Sequence, residues 1–350
     1  MLAAETRVAP PSDSVALLAK SPVDWKQIVL PLEPFLQAVS KRMGEQISAF
    51  EADLAAYAEY ALTAQGKQLR PALVGLSANA TGKIQDSHVT VAVIIEMVHL
   101  ATLVHDDVMD EATIRRGRPT LAANWGNDIS VLLGDCLFAK ALKLAASFPT
   151  TEVCRAVSAS TDTVCEGEIL QSLHWKNVRC ARAEYLKVLA MKTGELFALA
   201  CDLGAHLSGA SSAERNALRG FGLALGTAYQ IYDDCLDLFG SEGAAGKSLG
   251  SDLAKGKVTL PLLVLLERND AGLNKKLGAL LDDYQPRDFS QVVALLQRQG
   301  ALHESMRVVE QYLDEARELA GRLRASDARG GLIQLCEVLA AQTEALGGAA

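Results

Sequence analysis

Proline placement constrains this chain most. Ten prolines occur in 350 residues, and Pro10, Pro11, Pro22, Pro31 and Pro34 crowd the first 34. After Pro149 none appears until Pro261. Inside a helix proline removes a hydrogen bond and clashes with the preceding turn, so such a gap suits a succession of long helices. Apolar residues recur at helical spacing in Leu54 to Leu62, Val89 to Val104, Ile129 to Phe148, Glu184 to Leu207 and Ala217 to Leu238. Turn residues punctuate them at Thr81-Gly82, Arg116-Gly117-Arg118-Pro119, Ser208-Gly209 and between Gly240 and Gly256. No stretch alternates convincingly at period two. The expected fold is all-α, a single large bundle of long helices over residues 25–350, preceded by a poorly ordered arm, 1–24.

Composition narrows the function. Apolar residues make up 49% and aromatics 5%, a balance that favours helix over strand. A net charge of −8 argues against nucleic acid as partner. Seven cysteines without a C-x-x-C pair read as reduced thiols of a cytoplasmic protein. The six histidines form no H-E-x-x-H, which argues against a structural zinc site. The early apolar run Val15 to Ala19 is too short for a secretory signal. Val89 to Val104 comes nearest to a membrane span, but Glu96 and His99 interrupt it, so it is expected to be a core helix.

Two acidic runs carry the chemistry. Asp106-Asp107-Val108-Met109-Asp110 and Asp233-Asp234-Cys235-Leu236-Asp237 each spell D-D-x-x-D after an apolar stretch. Residues i and i+4 share a helix face, so each run aims at least two carboxylates in one direction. Carboxylates in apolar surroundings repel one another unless cations neutralise them. Hard divalent cations such as Mg²⁺ suit them, taking carboxylate and phosphate oxygens together. Basic turns follow both runs: Arg115-Arg116-Gly117-Arg118-Pro119-Thr120, and Gly246-Lys247-Ser248 through Lys257-Val258-Thr259-Leu260-Pro261. Gly246-Lys247-Ser248 lacks the upstream glycine and strand of a nucleotide-binding loop. Lys67 and Arg70 open another helix, where free backbone N–H groups favour an anion. Taken singly, Lys192 reads as a snorkelling surface lysine and His99 as a hydrogen-bonded core histidine.

Taken together, these segments resemble the trans-type isoprenyl diphosphate synthases, the polyprenyl synthetase family. The resemblance runs from Gly66 to Pro261. It comprises G-K-x-x-R-P (Gly66 to Pro71), H-x-x-x-x-x-H-D-D-x-x-D (His99 to Asp110), R-R-G-x-P-T (Arg115 to Thr120), K-T (Lys192-Thr193) and Y-Q-x-x-D-D-x-x-D (Tyr229 to Asp237). G-K-x-x-G-x-D and G-K-x-T-L-P follow. Gln68 departs from the pattern, where the family usually carries a basic residue. The resemblance implies an isoprenoid-synthase bundle around a central active-site cavity. It also implies head-to-tail condensation of isopentenyl diphosphate with an allylic diphosphate, by a homodimer.

By the same resemblance Asp106, Asp110 and Asp233 are the main Mg²⁺ ligands, with Asp107, Asp234 and Asp237 supporting them directly or through water. Arg115, Lys192, Thr193, Gln230, Lys247 and Lys257 would hold the allylic diphosphate. Lys67, Arg70, His99 and Arg116 would hold isopentenyl diphosphate. The proton is expected to leave with the departing diphosphate, without a dedicated general base. Ala101, five residues before Asp106, stands where short-chain members often carry a bulky aromatic. Val98, a turn further up, is also modest in size. Together with the compact first motif, they favour a long product, a quinone side-chain precursor, over farnesyl or geranylgeranyl diphosphate. A terpene cyclase would need neither the second D-D-x-x-D nor Lys67 and Arg70. A silent partner subunit would have eroded acidic motifs, and a helical scaffold leaves the ordered set unexplained. An active subunit that needs a partner stays open.

Overall fold

The computed structural model describes residues 25–62, 66–174, 177, 180–241, 249–268, 270–282 and 284–349. The expected arm, 1–24, and Lys247 lie outside them. The chain runs through α1 (Trp25–Val29), a 3-10 turn, α2 (Glu33–Ser48), α3 (Ala52–Leu62) and α4 (Leu69–Thr81) into the long α5 (Asp86–Met109). A hairpin, β1 (Ile114–Arg115) and β2 (Arg118–Pro119), leads to α6 (Leu121–Trp125), α7 (Asn127–Ala146) and α8 (Glu152–Leu173). Next come α9 (Arg182–Leu189), α10 (Glu195–Leu207) and α11 (Ser212–Phe239). The remainder is α12 (Ser251–Ala254), α13 (Leu260–Leu266), α14 (Ala271–Asp282), α15 (Phe289–Arg298), α16 (Ala301–Gly321) and α17 (Asp327–Ala349).

α5 and α11 are the two long struts that carry the acidic runs. α5 is buried on nearly every side, with Val91, Ile94, Ile95, Met97, Val98, Ala101 and Val104 all in the core. It packs against α2, α4, α7 and α10. By length and composition it is apolar enough to cross a membrane, but it is mostly enclosed by the protein. α11 starts five residues before its apolar pattern. Ser211 accepts from the Glu214 amide while the Glu214 carboxylate returns to the Ser211 amide, a reciprocal cap that satisfies two free donors. It packs against α10 on one side and α16 on the other. Glycine sets the α10–α11 spacing: a Cβ at Gly222 would stand 2.4 Å from the Phe197 carbonyl oxygen.

Two local features depart from the sequence pattern. The apolar run from Glu184 to Leu207 is not one regular helix: a π-helical turn, Ala190–Gly194, separates α9 from α10. And the basic stretch after Asp110 forms an antiparallel hairpin, the only strands among the described residues. Its turn places Arg116 at φ 52° and Gly117 at φ 72°, the pair of left-handed residues that a two-residue hairpin loop demands.

Candidate active site

The first acidic run occupies the last turn of α5, and Asp110 is its C-cap. The second occupies the last turns of α11. A helix C-terminus already carries partial negative charge, so carboxylates there are doubly in need of cations. The structure brings them. Lys255 Nζ donates to Asp110 Oδ2 at 2.8 Å, and Lys257 Nζ lies 3.8 Å from the same oxygen. Lys257 also reaches Asp252 at 3.7 Å, while the Asp252 amide donates to Asp237 Oδ2 at 3.0 Å. The segment after α11 therefore ties the two helix ends together. Burial works against the Asp110 charge, but Lys257, Lys255 and Lys192 outweigh it and hold the carboxyl below its ordinary range.

Lys192 sits in the π-helical turn, where one extra residue per turn re-aims the side chain. It is held between Asp106, 3.7 Å away, and Glu168 of α8, with which it is in direct contact. α8 approaches closely because Gly167 has no Cβ; one would meet the Lys192 amide nitrogen at 2.9 Å. Burial pushes Asp106 up despite this lysine. Thr193 Oγ1 donates to Gln230 Oε1 at 2.9 Å, and Gln230 Nε2 donates to Asp234 Oδ1 at 2.9 Å. Tyr185 OH donates to the other Asp234 oxygen at 2.6 Å. Burial and the charge of Asp252 push Asp234 up to about 7 in spite of both bonds. Among the described residues the site holds more carboxylates than cations. The donors are all oxygen, which fits a hard divalent cation.

The two runs differ in how their other acids are used. Asp107 is buried and accepts from Arg115 Nε at 2.6 Å, so the hairpin is pinned to α5. Asp237 is fully buried and accepts from Ser251 Oγ at 2.8 Å as well as from the Asp252 amide, holding the start of α12. Asp233 is half-buried.

A second cationic group lies beyond the carboxylates. The Arg70 guanidinium stacks 4.9 Å over the Phe197 ring. Arg116 lies against Gly66, where a Cβ would meet its Nη2 at 2.9 Å. Burial lowers both guanidinium groups, and Glu96 of α5 opposes the shift. His99 is held well below the ordinary histidine range, first by burial and then by Arg70, Arg116 and Arg115, so it is a neutral imidazole. Lys67 is exposed at the start of this group, and partial desolvation lowers it. Gln68 takes φ 51° at the N-cap of α4 and turns its amide to Ser40 Oγ at 2.8 Å, so the departure from the basic pattern is spent on α2. Ala101 and Val98 are enclosed in α5.

Sequence reasoning gave no role to Glu168, Tyr185, Asp252, Lys255 or Glu96. Asp252 and Lys255 stand inside the quoted glycine-rich segment. Glu96 shows as a charge in an apolar run. Glu168 and Tyr185 carry no local signal.

The polyprenyl synthetase family model matches residues 51–297. An all-trans-nonaprenyl-diphosphate synthase (geranyl-diphosphate specific) of Rhodobacter capsulatus is 34% identical over 315 residues, covering 89% of this chain and 97% of the relative. A short chain isoprenyl diphosphate synthase of Methanothermobacter thermautotrophicus is 32% identical, covering 87% and 96%. Among solved structures, polyprenyl synthase from Caulobacter crescentus CB15, complexed with calcium and isoprenyl diphosphate, superposes with TM-score 0.85 at 30% identity, covering 95% of this chain and 99% of that one. With two aspartate-ended helices, lysines paired to the first of them and this whole-length likeness, the chain belongs to the polyprenyl synthetase family and is a prenyltransferase.

Proposed function

We propose that this enzyme condenses isopentenyl diphosphate head to tail with an allylic diphosphate primer and repeats the step to a long trans-polyprenyl diphosphate. The observation that carries the reading is the division of cations. Lys192, Lys255 and Lys257 stand on the carboxylates. Arg70 and Arg116, with the neutral His99 beside them, form a separate group around Glu96 and Phe197. Two anionic substrates need two such places.

Asp106, Asp110 and Asp233 would hold Mg²⁺, which when bound neutralises charge on the leaving diphosphate. Asp234, oriented by Tyr185 and Gln230, supports them. Asp107 and Asp237 act by position, fixing the hairpin and the α12 segment. Lys192, Thr193, Gln230 and Lys257, together with Arg115 and Lys247, would grip the allylic diphosphate. Preorganised cations count most where charge develops as the C–O bond ionises. Lys67, Arg70, His99 and Arg116 would grip isopentenyl diphosphate, the neutral imidazole offering a hydrogen bond rather than a charge. The departing diphosphate takes the proton.

The relatives' names span short and long products. Small Ala101 supports the long one. Residues 25–350 act as one catalytic unit. The enzyme is a homodimer in the cytoplasm, supported by the exposed Val131, Leu132 and Leu142 of α7 and by seven cysteines that are all free. Incubating the purified enzyme with Mg²⁺, labelled isopentenyl diphosphate and each allylic primer, then sizing the products, tests the reading. Products longer than geranylgeranyl diphosphate are expected. No elongation by the chain alone, with elongation restored by a second subunit, would overturn the homodimer.

A further inference from the structure

Beside the aspartates, three side chains converge where α8 gives way to α9. His174 is the C-cap of α8, Cys180 is buried just before α9, and Glu184 stands in the first turn of α9. His174 Nδ1 lies 3.7 Å from Cys180 Sγ, and Cys180 Sγ lies 3.9 Å from Glu184 Oε2. All three ligand atoms fall within 4.8 Å of one another. The proposed condensation uses none of them. We infer that His174, Cys180 and Glu184 form a binding site for a borderline-soft divalent transition cation such as Zn²⁺, distinct in chemistry from the carboxylate site.

The spacing is that of a tetrahedral site before it closes. Zinc bonds of about 2.3 Å to sulfur and about 2.0–2.2 Å to nitrogen or oxygen separate neighbouring ligand atoms by roughly 3.6 Å. The two separations to sulfur need to shrink by only a few tenths of an ångström, and His174 and Glu184, within 4.8 Å of each other, must draw closer. Glu184 Oε2 also accepts from the Ala181 amide at 3.2 Å, so capping explains the carboxylate's place. It does not explain a buried thiol set between an imidazole and that carboxylate. Burial and Glu184 push the thiol up, which marks negative potential at the sulfur that a proton or a metal relieves. A sulfur–nitrogen–oxygen set selects softer metals than an all-carboxylate set. Three protein ligands leave a fourth position open, as in exchangeable rather than purely structural sites.

The position gives the site a route to the chemistry. His174 and Cys180 line the same pocket as Lys192, Asp234 and Lys257. Tyr185, next to Glu184, holds Asp234. A cation that fixes Glu184 therefore fixes the turn that presents Tyr185. The H-x₅-C-x₃-E spacing follows neither C-x-x-C nor H-E-x-x-H, which is why the sequence alone argued against zinc.

Cobalt makes the test. The full chain, with Mg²⁺ in excess to occupy the carboxylates, is titrated with Co²⁺ and its absorption followed. A thiolate-to-cobalt charge-transfer band that Zn²⁺ abolishes is expected. Cys180→Ser should remove the band, and His174→Ala and Glu184→Gln should each weaken Co²⁺ binding by about tenfold or more, with circular dichroism confirming the fold. A wild-type chain without the band, or a band unchanged in Cys180→Ser, would overturn the site. Should Cys180→Ser not fold, undiminished Co²⁺ binding by Glu184→Gln, whose side chain is exposed, would do the same.

Discussion

Lys192 stands between two acids of different helices, Asp106 and Glu168, and its side chain is what α8 and α5 share. Single side chains at such a point should have large and separable effects. Asp106→Ala and Asp233→Ala should each lower kcat by about 10²-fold or more, because they remove stabilisation realised mainly in the transition state. Excess EDTA should abolish turnover and Mg²⁺ restore it; full activity in EDTA would contradict the metal assignment. The cations should divide by substrate. Arg70→Ala and Lys67→Ala should chiefly raise KM for isopentenyl diphosphate, on the order of tenfold, the effect of losing about 1.4 kcal/mol of charge-assisted binding. Lys192→Ala should act on the allylic substrate and on ionisation. Identical kinetic profiles for the two groups would rule out two diphosphate places. Ala101 lies about 7–8 Å up α5 from Asp106 at roughly 1.5 Å per residue. Ala101→Phe should shorten the product while sparing the first condensation. Since Ala101 is fully buried, the ring should also cost about 1–3 kcal/mol of stability. Product sizing on folded variant separates the two effects, and an unchanged product would make Ala101 ordinary core.

At the scale of elements, the α10–α11 contact decides how near Thr193 comes to Gln230. Gly222 permits that approach, since any Cβ there meets the backbone of Phe197, which cannot rotate away. Gly222→Ala should therefore destabilise the protein by at least about 1–3 kcal/mol, read from the denaturant midpoint. Gly278, in α14, has open space around its missing Cβ. Gly278→Ala should be neutral or stabilising by up to ~1 kcal/mol, because alanine loses less backbone freedom in a helix. Equal gains for both variants would mean that helix propensity, not the close approach, governs the pair.

At the scale of the whole molecule, α7 presents an apolar stripe that the described residues leave uncovered. Leu132 is 60% exposed, and Val131 and Leu142 are exposed on the same helix at 40% and 41%. The same helix is tied to the end of α5 through its backbone, where His105 Nε2, next to Asp106, donates to the Val131 carbonyl at 2.9 Å. Burying the stripe against a second copy would fix α7 and steady the end of α5. Leu132→Glu should shift sedimentation from dimer to monomer and lower activity with it. A wild-type chain that sediments as a fully active monomer would refute the pairing.

Helix content and the placing of the acids were legible in the sequence because both are local. Period-3.6 burial located α5, α7 and α11. The four-residue step within each D-D-x-x-D put carboxylates on the last turns of two helices. The basic turns after each run announced where cations would come from, and their likeness to a known family assigned them to substrates. The π-helical turn under Lys192 was not legible, because apolar spacing runs on through it from Glu184 to Leu207. Partner choice was not legible. Two runs spelt alike fare differently: Asp107 is spent on Arg115, eight residues on, whereas Asp237 is spent on the start of α12. Asp110 meets Lys255 across 145 residues of chain, and Lys192 meets Glu168 only because α8 passes over the π-helical turn. Such pairings depend on helix crossing and on where a glycine lets two backbones touch. Local spacing determines the direction a side chain leaves its own helix, but packing between helices alone determines what it meets.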